Sequence, residues 1–419
     1  MLVPLRRVLV RPLLWWAIAA VWLVHDVMGN VLTPQRSDAT SVIQAGYRWL
    51  HDPAAIYADT ARHLAQTGLV PVTGLIRPPA AAMLAAPFSL LPGWMQVPAW
   101  TVADAAAAVI GLWIVQRYVT RTSLEMAVFW AVAFYSPPLY AEVNAGQIGG
   151  FVLLFACLGL VTFRRRPALS GVLVAAAASL KLYPALMVLG ARSRWRPFVI
   201  AAGIAGALIT VVACIPLGAA GAWGYVTGVL IPSLRAPNPD CAQTSVATLF
   251  GRSIGGDAYP IITPSGGISI LQSPIHLAAL ATVLTVLTLA AAVVAAVAAS
   301  RASGWNPAYG LALALALGGL LPGELNPYQY VPLMPLVLMV LVMAIRNARW
   351  TQLLGLTVGL LCWLRQPCLL PFPNLWTVGA LILFAVCVLA ARDFRFPSPP
   401  AGEGGPLRSG RPDGEIGVP

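Results

Sequence analysis

Polar chemistry in this chain is concentrated in residues 33–79, where Asp38, Asp52, Asp59, His51, His63 and four arginines fall in one stretch of a protein whose overall charged content is 10%. A carboxylate in such a stretch can serve as a general base toward a hydroxyl. It can equally cap a helix, because Ser37 and Asp38 both accept backbone N–H bonds at a helix start. On the residues alone, both readings of Asp38 stand. Asp52, before Pro53, reads as a turn or helix-start residue, and Asp59 as a charge on a solvated helix face. Lys181 is the one lysine of the sequence, every other basic position being arginine. It sits in Lys181-Leu182-Tyr183-Pro184 amid apolar residues. A cation there is a functional-site candidate, the alternative being a lysine that snorkels to the interface.

The elements that must position these groups are membrane helices. The chain has 419 residues and 59% hydrophobic content, with a mean hydropathy of +0.79, above the roughly 45–50% apolar content of soluble domains. Its Ala/Leu/Val-rich runs do not alternate as the strands of a membrane barrel would. They describe an all-α polytopic bundle, since helices satisfy their own backbone in lipid. The formal charge of +12 comes from arginines clustered between apolar runs, where orientation signals belong. Membrane lipids are therefore expected partners and nucleic acid is not. The six cysteines form no CxxC and no His spacing suited to zinc. No metal and no cofactor is expected, and Cys362 and Cys368 are the one pair that could join at a membrane surface.

Arg6, Arg7 and Arg11 precede the first apolar run, which places 33–79 outside the cytoplasm as the first external loop. Within it Val42, Ala45 and Trp49, then Ile56 and Leu64, recur at helical spacing and predict two short interfacial helices forming a lid. Residues 78–92 are too short to span the bilayer upright and read as re-entrant. Runs at 95–116, 124–141 and 147–163 follow. The arginine clusters at 164–166 and 192–196 both mark the cytoplasm, so 167–191 must go out and return as two half-length helices breaking at Lys181. After a run at 197–217 comes a second external loop, 218–273. Spans at 274–300, 305–322, 329–345, 350–364 and 374–391 complete about twelve crossings. Residues 1–392 form one transmembrane domain, and the Pro/Gly-rich tail 393–419 is expected to be a disordered cytoplasmic segment. Asp26 and Asp104 lie in apolar stretches and are expected to pair within the bundle; His25 and His276 are expected at the interface.

The features occur in a telling order: Asp38 in the first external loop, Arg77-Pro78-Pro79 with Pro87 beyond, Gly146-Gln147 opening a helix, Lys181-Leu182-Tyr183-Pro184, then Gln243-Thr244-Ser245 and Leu249-Phe250-Gly251-Arg252. This order resembles glycosyltransferase family 87, multi-spanning enzymes of the GT-C class that include polyprenol-phosphate-mannose-dependent α-mannosyltransferases. The resemblance covers roughly residues 13–345. Asp38, Tyr47 and Tyr57 match the family's first-loop pattern. The chain departs from it in having Arg77 where a Tyr is common, Gly149 where an Asn is usual, Ala242 before Gln243, and no Trp-His pair in the late loop 321–332. There Glu324, Asn326 and Tyr328 stand instead.

The resemblance implies a GT-C-type bundle of 10–12 transmembrane helices that moves a sugar, mannose by analogy, from a polyprenyl-phosphate donor to an envelope glycolipid or glycan with inversion. The active site would face outward from the cell membrane. It makes Asp38 the base. Arg77, Lys181 and Arg252 become donors to the lipid phosphate, with Arg36 and Arg235 weaker candidates. Gln147 and Gln243 become contacts to sugar hydroxyls, their alternative being helix caps or bridges, and Tyr328 stands in the late-loop position. One carboxylate suffices where a phosphate leaves as an anion, whereas a glycosidase ordinarily uses two. Competing readings are an arabinofuranosyltransferase using the same carrier, an inactive relative acting as a scaffold, and a transporter or flippase for a lipid-linked sugar. A transporter would ordinarily show repeated halves, and none is visible.

Overall fold

The structure is a computed structural model that describes residues 11–32, 37–68, 76–191, 195–233, 245–262, 268–272, 275–302, 307–320, 327–363 and 375–391. Helix α1 (Pro12–Leu32) leads to two short helices, α2 (Ser37–His51) and α3 (Ala58–Thr67), joined by a 3-10 turn at Pro53–Ala55. Then come α4 (Pro79–Ser89), α5 (Gly93–Val119), α6 (Ser123–Tyr135), α7 (Pro137–Ala145), α8 (Gly149–Thr162) and α9 (Pro167–Leu180). A 3-10 segment at Tyr183–Gly190 precedes α10 (Trp195–Cys214) and α11 (Gly218–Tyr225), which runs into a π turn at Val226–Leu230. The remainder is α12 (Val246–Phe250), a π turn at Gly251–Gly255, strands β1 (Ala258–Ile262) and β2 (Ile268–Gln272), α13 (Ala278–Ala302), α14 (Pro307–Gly318), a 3-10 turn at Pro327–Leu333, α15 (Met334–Arg346), α16 (Trp350–Leu361) and α17 (Leu375–Ala390).

The chain is an all-α polytopic membrane protein. Among the described residues five helices are long and apolar enough to cross a bilayer and seven more apolar helices have 10–17 residues. The span Gln329–Arg346, which contains α15, is 83% buried and forms the centre, whereas α1 (6%), α10 and α13 (17% each) turn apolar side chains outward. Proline explains several starts and breaks, because its missing N–H costs nothing in a first turn and is disruptive later. The run expected at 124–141 divides at Pro137, where Ser136 turns extended and its hydroxyl accepts the Leu139 N–H at 3.4 Å. The only extended structure among the described residues is the antiparallel β1–β2 ribbon in the second loop, with Tyr259 opposite Leu271. The same loop also holds α11 and α12, which its Gly/Pro content did not suggest.

Two short helices form where the spacing predicts them. Val42, Ala45, Ile56 and Leu64 are buried, and Trp49 donates from Nε1 to the Ala213 carbonyl at 2.8 Å. The segment 167–191 also breaks at Lys181. Helix α10 lies alongside α9 in the same direction, with Gly171 against Ala202 and Gly206 against Ala175, so Tyr183–Gly190 must carry the chain back. It does so packed antiparallel on α14, Tyr183 beside Gly318 and Gly190 beside Gly310. Of the remaining sequence expectations, the tail 393–419, Gln243, Glu324, Asn326 and Cys368 lie outside the described residues. So does the side chain of Tyr328.

Candidate active site

Three segments distant in sequence meet where α2 begins. Asp38 occupies the first turn of α2, where a negative charge is favoured by the helix dipole. Arg77 lies just before Pro78 and Pro79, which start α4. Gln147 sits in the turn between α7 and α8, fully buried. Its amide bridges the other two: Nε2 donates to Asp38 Oδ2 and Oε1 accepts from Arg77 Nη2. The guanidinium is itself 4.0 Å from the carboxylate. Of the two readings of Gln147 in the sequence, the structure shows a bridge, though between two charged side chains rather than two helices.

The turn that carries Gln147 is tightly built. Gly146 ends α7 in the left-handed region at φ 66°, with Ala39 pressed against it, so the position favours glycine both for its backbone and for space. Trp100 of α5, fully buried, donates from Nε1 to the carbonyls of Gly146 (2.9 Å) and Gln147 (3.1 Å). The Gln147 N–H bonds to the Glu142 carbonyl at 3.1 Å. From the other side Tyr57 donates to the Arg77 carbonyl at 2.8 Å while its ring lies 4.6 Å from that of Tyr225. Burial, with Tyr225 and Cys214 adding to it, pushes the Tyr57 phenol well above its ordinary pKa, so it stays protonated and remains a donor.

Behind these groups lies a second charged layer. Lys181 Nζ is 3.5 Å from Glu142 Oε2, and Glu142 Oε1 accepts the Gly149 N–H. Asp104 of α5, also fully buried, accepts the Phe151 N–H at 3.3 Å. Its expected pairing within the bundle is thus a place in this cluster, at the start of α8. Lys181 is within electrostatic reach of Glu142, Arg77, Asp104 and Asp38, so three carboxylates and two cations share one region. Burial raises the Glu142 carboxyl; Lys181, the Gly149 N–H and Arg77 pull against that rise and Asp38 adds to it. The Asp38 side chain keeps 22% of its surface, against 12% for Arg77, 13% for Lys181 and none for Glu142. Asp38 therefore faces the opening and Glu142 the interior.

Next to the cluster is an apolar groove of about 400 Å³ between α4, α9, α10 and α11. Its walls include Pro78, adjacent in sequence to Arg77, and Leu182, adjacent to Lys181. Tyr225 also lines it, and the Tyr225 hydroxyl has no hydrogen-bond partner among the described residues.

The other candidates sit on separate elements. Arg252 is buried in the π turn Gly251–Gly255, which packs on α13. The 3-10 turn containing Tyr328 packs on α7, the helix of Glu142. Asp52 precedes the 3-10 turn without a side-chain cap bond, and Asp59 is exposed and paired with Arg48 (3.0 Å) and Arg62 (3.2 Å), as a solvated helix face requires. Asp26 pairs with its neighbour His25 at 3.2 Å. Among the described residues no group of three His, Cys, Asp or Glu side chains is arranged to hold a metal ion. Sequence reasoning missed Glu142 altogether. The available signal was a carboxylate in an apolar connector, five residues before Gln147 and in a chain with a single lysine to neutralise.

A family model described as glycosyltransferase family 87 matches residues 76–325. The matched region contains Arg77, Asp104, Glu142, Gln147, Lys181 and Arg252, while Asp38 lies before it and is brought to it by the fold. No curated protein and no solved structure matches the chain.

Proposed function

The chain belongs to glycosyltransferase family 87, and from that premise we propose that it transfers a sugar, mannose in the first instance, from a polyprenyl-phosphate donor to an envelope glycolipid or glycan, with inversion. The observation that carries this reading is the meeting of Asp38, Arg77 and Lys181 beside an apolar groove. A polyprenyl phosphate is a long apolar chain ending in an anion, and an apolar groove of about 400 Å³ walled by Pro78 and Leu182, the sequence neighbours of Arg77 and Lys181, suits both ends of it.

In the proposed reaction the Asp38 carboxylate takes the proton of the acceptor hydroxyl. The oxygen attacks the anomeric carbon as the bond to the lipid phosphate breaks on the opposite face, which inverts the configuration. Arg77 and Lys181 neutralise the departing phosphate, the larger contribution expected of groups fixed in advance where charge develops. Gln147, bonded to both, keeps Asp38 and Arg77 4.0 Å apart, short of a direct hydrogen bond between them. The exposure of Asp38 supports its role, because the acceptor must reach it. Arg252 is proposed as a further phosphate contact, and Gln243 and Tyr328 as sugar contacts, on the family pattern.

The outward orientation draws on charge. Helix α9 has 14 residues and runs from the Arg164–Arg166 connector to Lys181, a rise of about 21 Å. Arginine-rich connectors favour the cytoplasm, so the opposite end of α9, with the site, is proposed to face the outside of the cell membrane. The test is transfer of radiolabelled sugar by purified protein in vesicles, supplied either with polyprenyl-phosphate mannose or with a nucleotide mannose. Label should pass from the lipid donor alone, with the anomeric configuration reversed. Transfer from the nucleotide alone, or movement of the lipid across the bilayer without transfer, would overturn the reading.

A further inference from the structure

Lys181 and Arg77 are like charges within electrostatic reach of each other in a largely buried region, an arrangement that repels itself unless anions are supplied. Asp38 compensates Arg77 on the open side, through Gln147. On the buried side the compensation comes from Glu142. This residue is fixed on three sides: its carbonyl accepts the Gln147 N–H at 3.1 Å, Oε1 accepts the Gly149 N–H, and Oε2, with no hydrogen-bond donor of its own, lies 3.5 Å from Lys181 Nζ. Gly149 is what allows this. A Cβ at that position would overlap the Glu142 carboxylate, so the chain uses there the one residue that leaves the carboxylate its place.

We propose that Glu142 is the positioning residue for the phosphate-binding cations: it holds the Lys181 ammonium beside Arg77 and in the same contact set fixes the Gln147 turn, so that an arriving lipid phosphate meets two cations already in place. The inference rests on the donor reading given above. It also accounts for lysine at this single position. An ammonium at the end of a flexible stem offers a compact point charge, held here 3.5 Å from the Glu142 carboxylate. Charged or titratable groups facing Lys181 are Glu142 from α7, Asp104 from α5, Arg77 before α4, Asp38 from α2 and Tyr183 on the returning 3-10 segment.

The experiment uses Glu142→Gln, which keeps an oxygen for the Gly149 N–H and removes only the charge facing Lys181. Radiolabel transfer from polyprenyl-phosphate mannose is measured in vesicles, together with binding of sugar-free polyprenyl phosphate. The expected result is a loss of about 100-fold in kcat/KM, with weaker phosphate binding and partial recovery in Glu142→Asp. With its nearest anion gone, Lys181 gives up its proton at lower pH, so the alkaline limb of activity moves to lower pH, which damage to folding alone would not produce. In a Lys181→Met background, Glu142→Gln should add little. Wild-type transfer with Glu142→Gln behaving as wild type, or with losses that multiply independently in the double variant, overturns the positioning role. Wild type that neither transfers the label nor binds polyprenyl phosphate overturns the donor reading and this inference with it.

Discussion

Replacing Gln147 by alanine removes a single neutral side chain and should disable the site. The buried amide makes two hydrogen bonds, one to the Asp38 carboxylate and one from the Arg77 guanidinium. Bonds to charged groups contribute about 1.5–3 kcal/mol each, so the gross loss is about 3–6 kcal/mol. Some returns, because the guanidinium is only 4.0 Å from Oδ2 and can close onto it. That closure, however, ties up both the proposed base and a proposed phosphate ligand. A net loss of about 2–4 kcal/mol at the transition state corresponds to a fall of roughly 30- to 1000-fold in kcat/KM, measured by label transfer at matched protein amounts. Gln147→Glu sharpens the test. It places a second carboxylate against Asp38, the two then share a proton into a higher pH range, and the acid limb of activity should move upward. Gln147→Ala with activity within threefold of wild type and an unchanged pH profile would refute the bridge as a working part.

Two further variants test separate parts of the account. Gly149→Ala drives a methyl into the Glu142 carboxylate; overpacking of this kind costs about 1–3 kcal/mol, so both the midpoint of thermal denaturation and the transfer rate should fall. Arg346→Met breaks a pair between half-buried Arg346 and buried Glu125 at the far side of the bundle, where Arg346 donates to Glu125 at 2.9 and 2.7 Å and to the Val119 carbonyl at 2.7 Å. Removing one partner of such a pair costs about 3–5 kcal/mol, read as a lower denaturation midpoint with transfer per folded molecule unchanged. The Glu125→Gln/Arg346→Met double variant should recover part of that stability, because no buried charge is then left alone.

Much of this architecture was legible in the sequence because bilayer physics writes plainly. Apolar runs, arginine clusters and the out-and-back constraint between residues 164 and 192 locate the break at Lys181. Helical spacing of Val42, Ala45, Trp49, Ile56 and Leu64 marks the two short helices of the first loop. Less legible were features whose cause is tertiary. The Pro137 break inside an apolar run looked like continuous helix, and the β1–β2 ribbon arises in a loop whose composition suggests none. Asp38, Arg77, Gln147 and Lys181 could be named one by one, yet their meeting could not be read, since it depends on α2 folding over α4 and on Trp100 holding the Gln147 turn. Glu142 escaped because a buried carboxylate is recognised by its partner, and the partner is 39 positions away.

The most direct test of the central claim is transfer of radiolabelled sugar from polyprenyl-phosphate mannose by Asp38→Asn and wild type in matched membranes. The variant can still accept the Gln147 amide bond through its carbonyl oxygen but cannot take a proton, so the account predicts a fall in transfer of at least about 100-fold with donor binding retained. Equal transfer by both proteins would contradict it, leaving Asp38 as a helix-start residue and placing the base elsewhere.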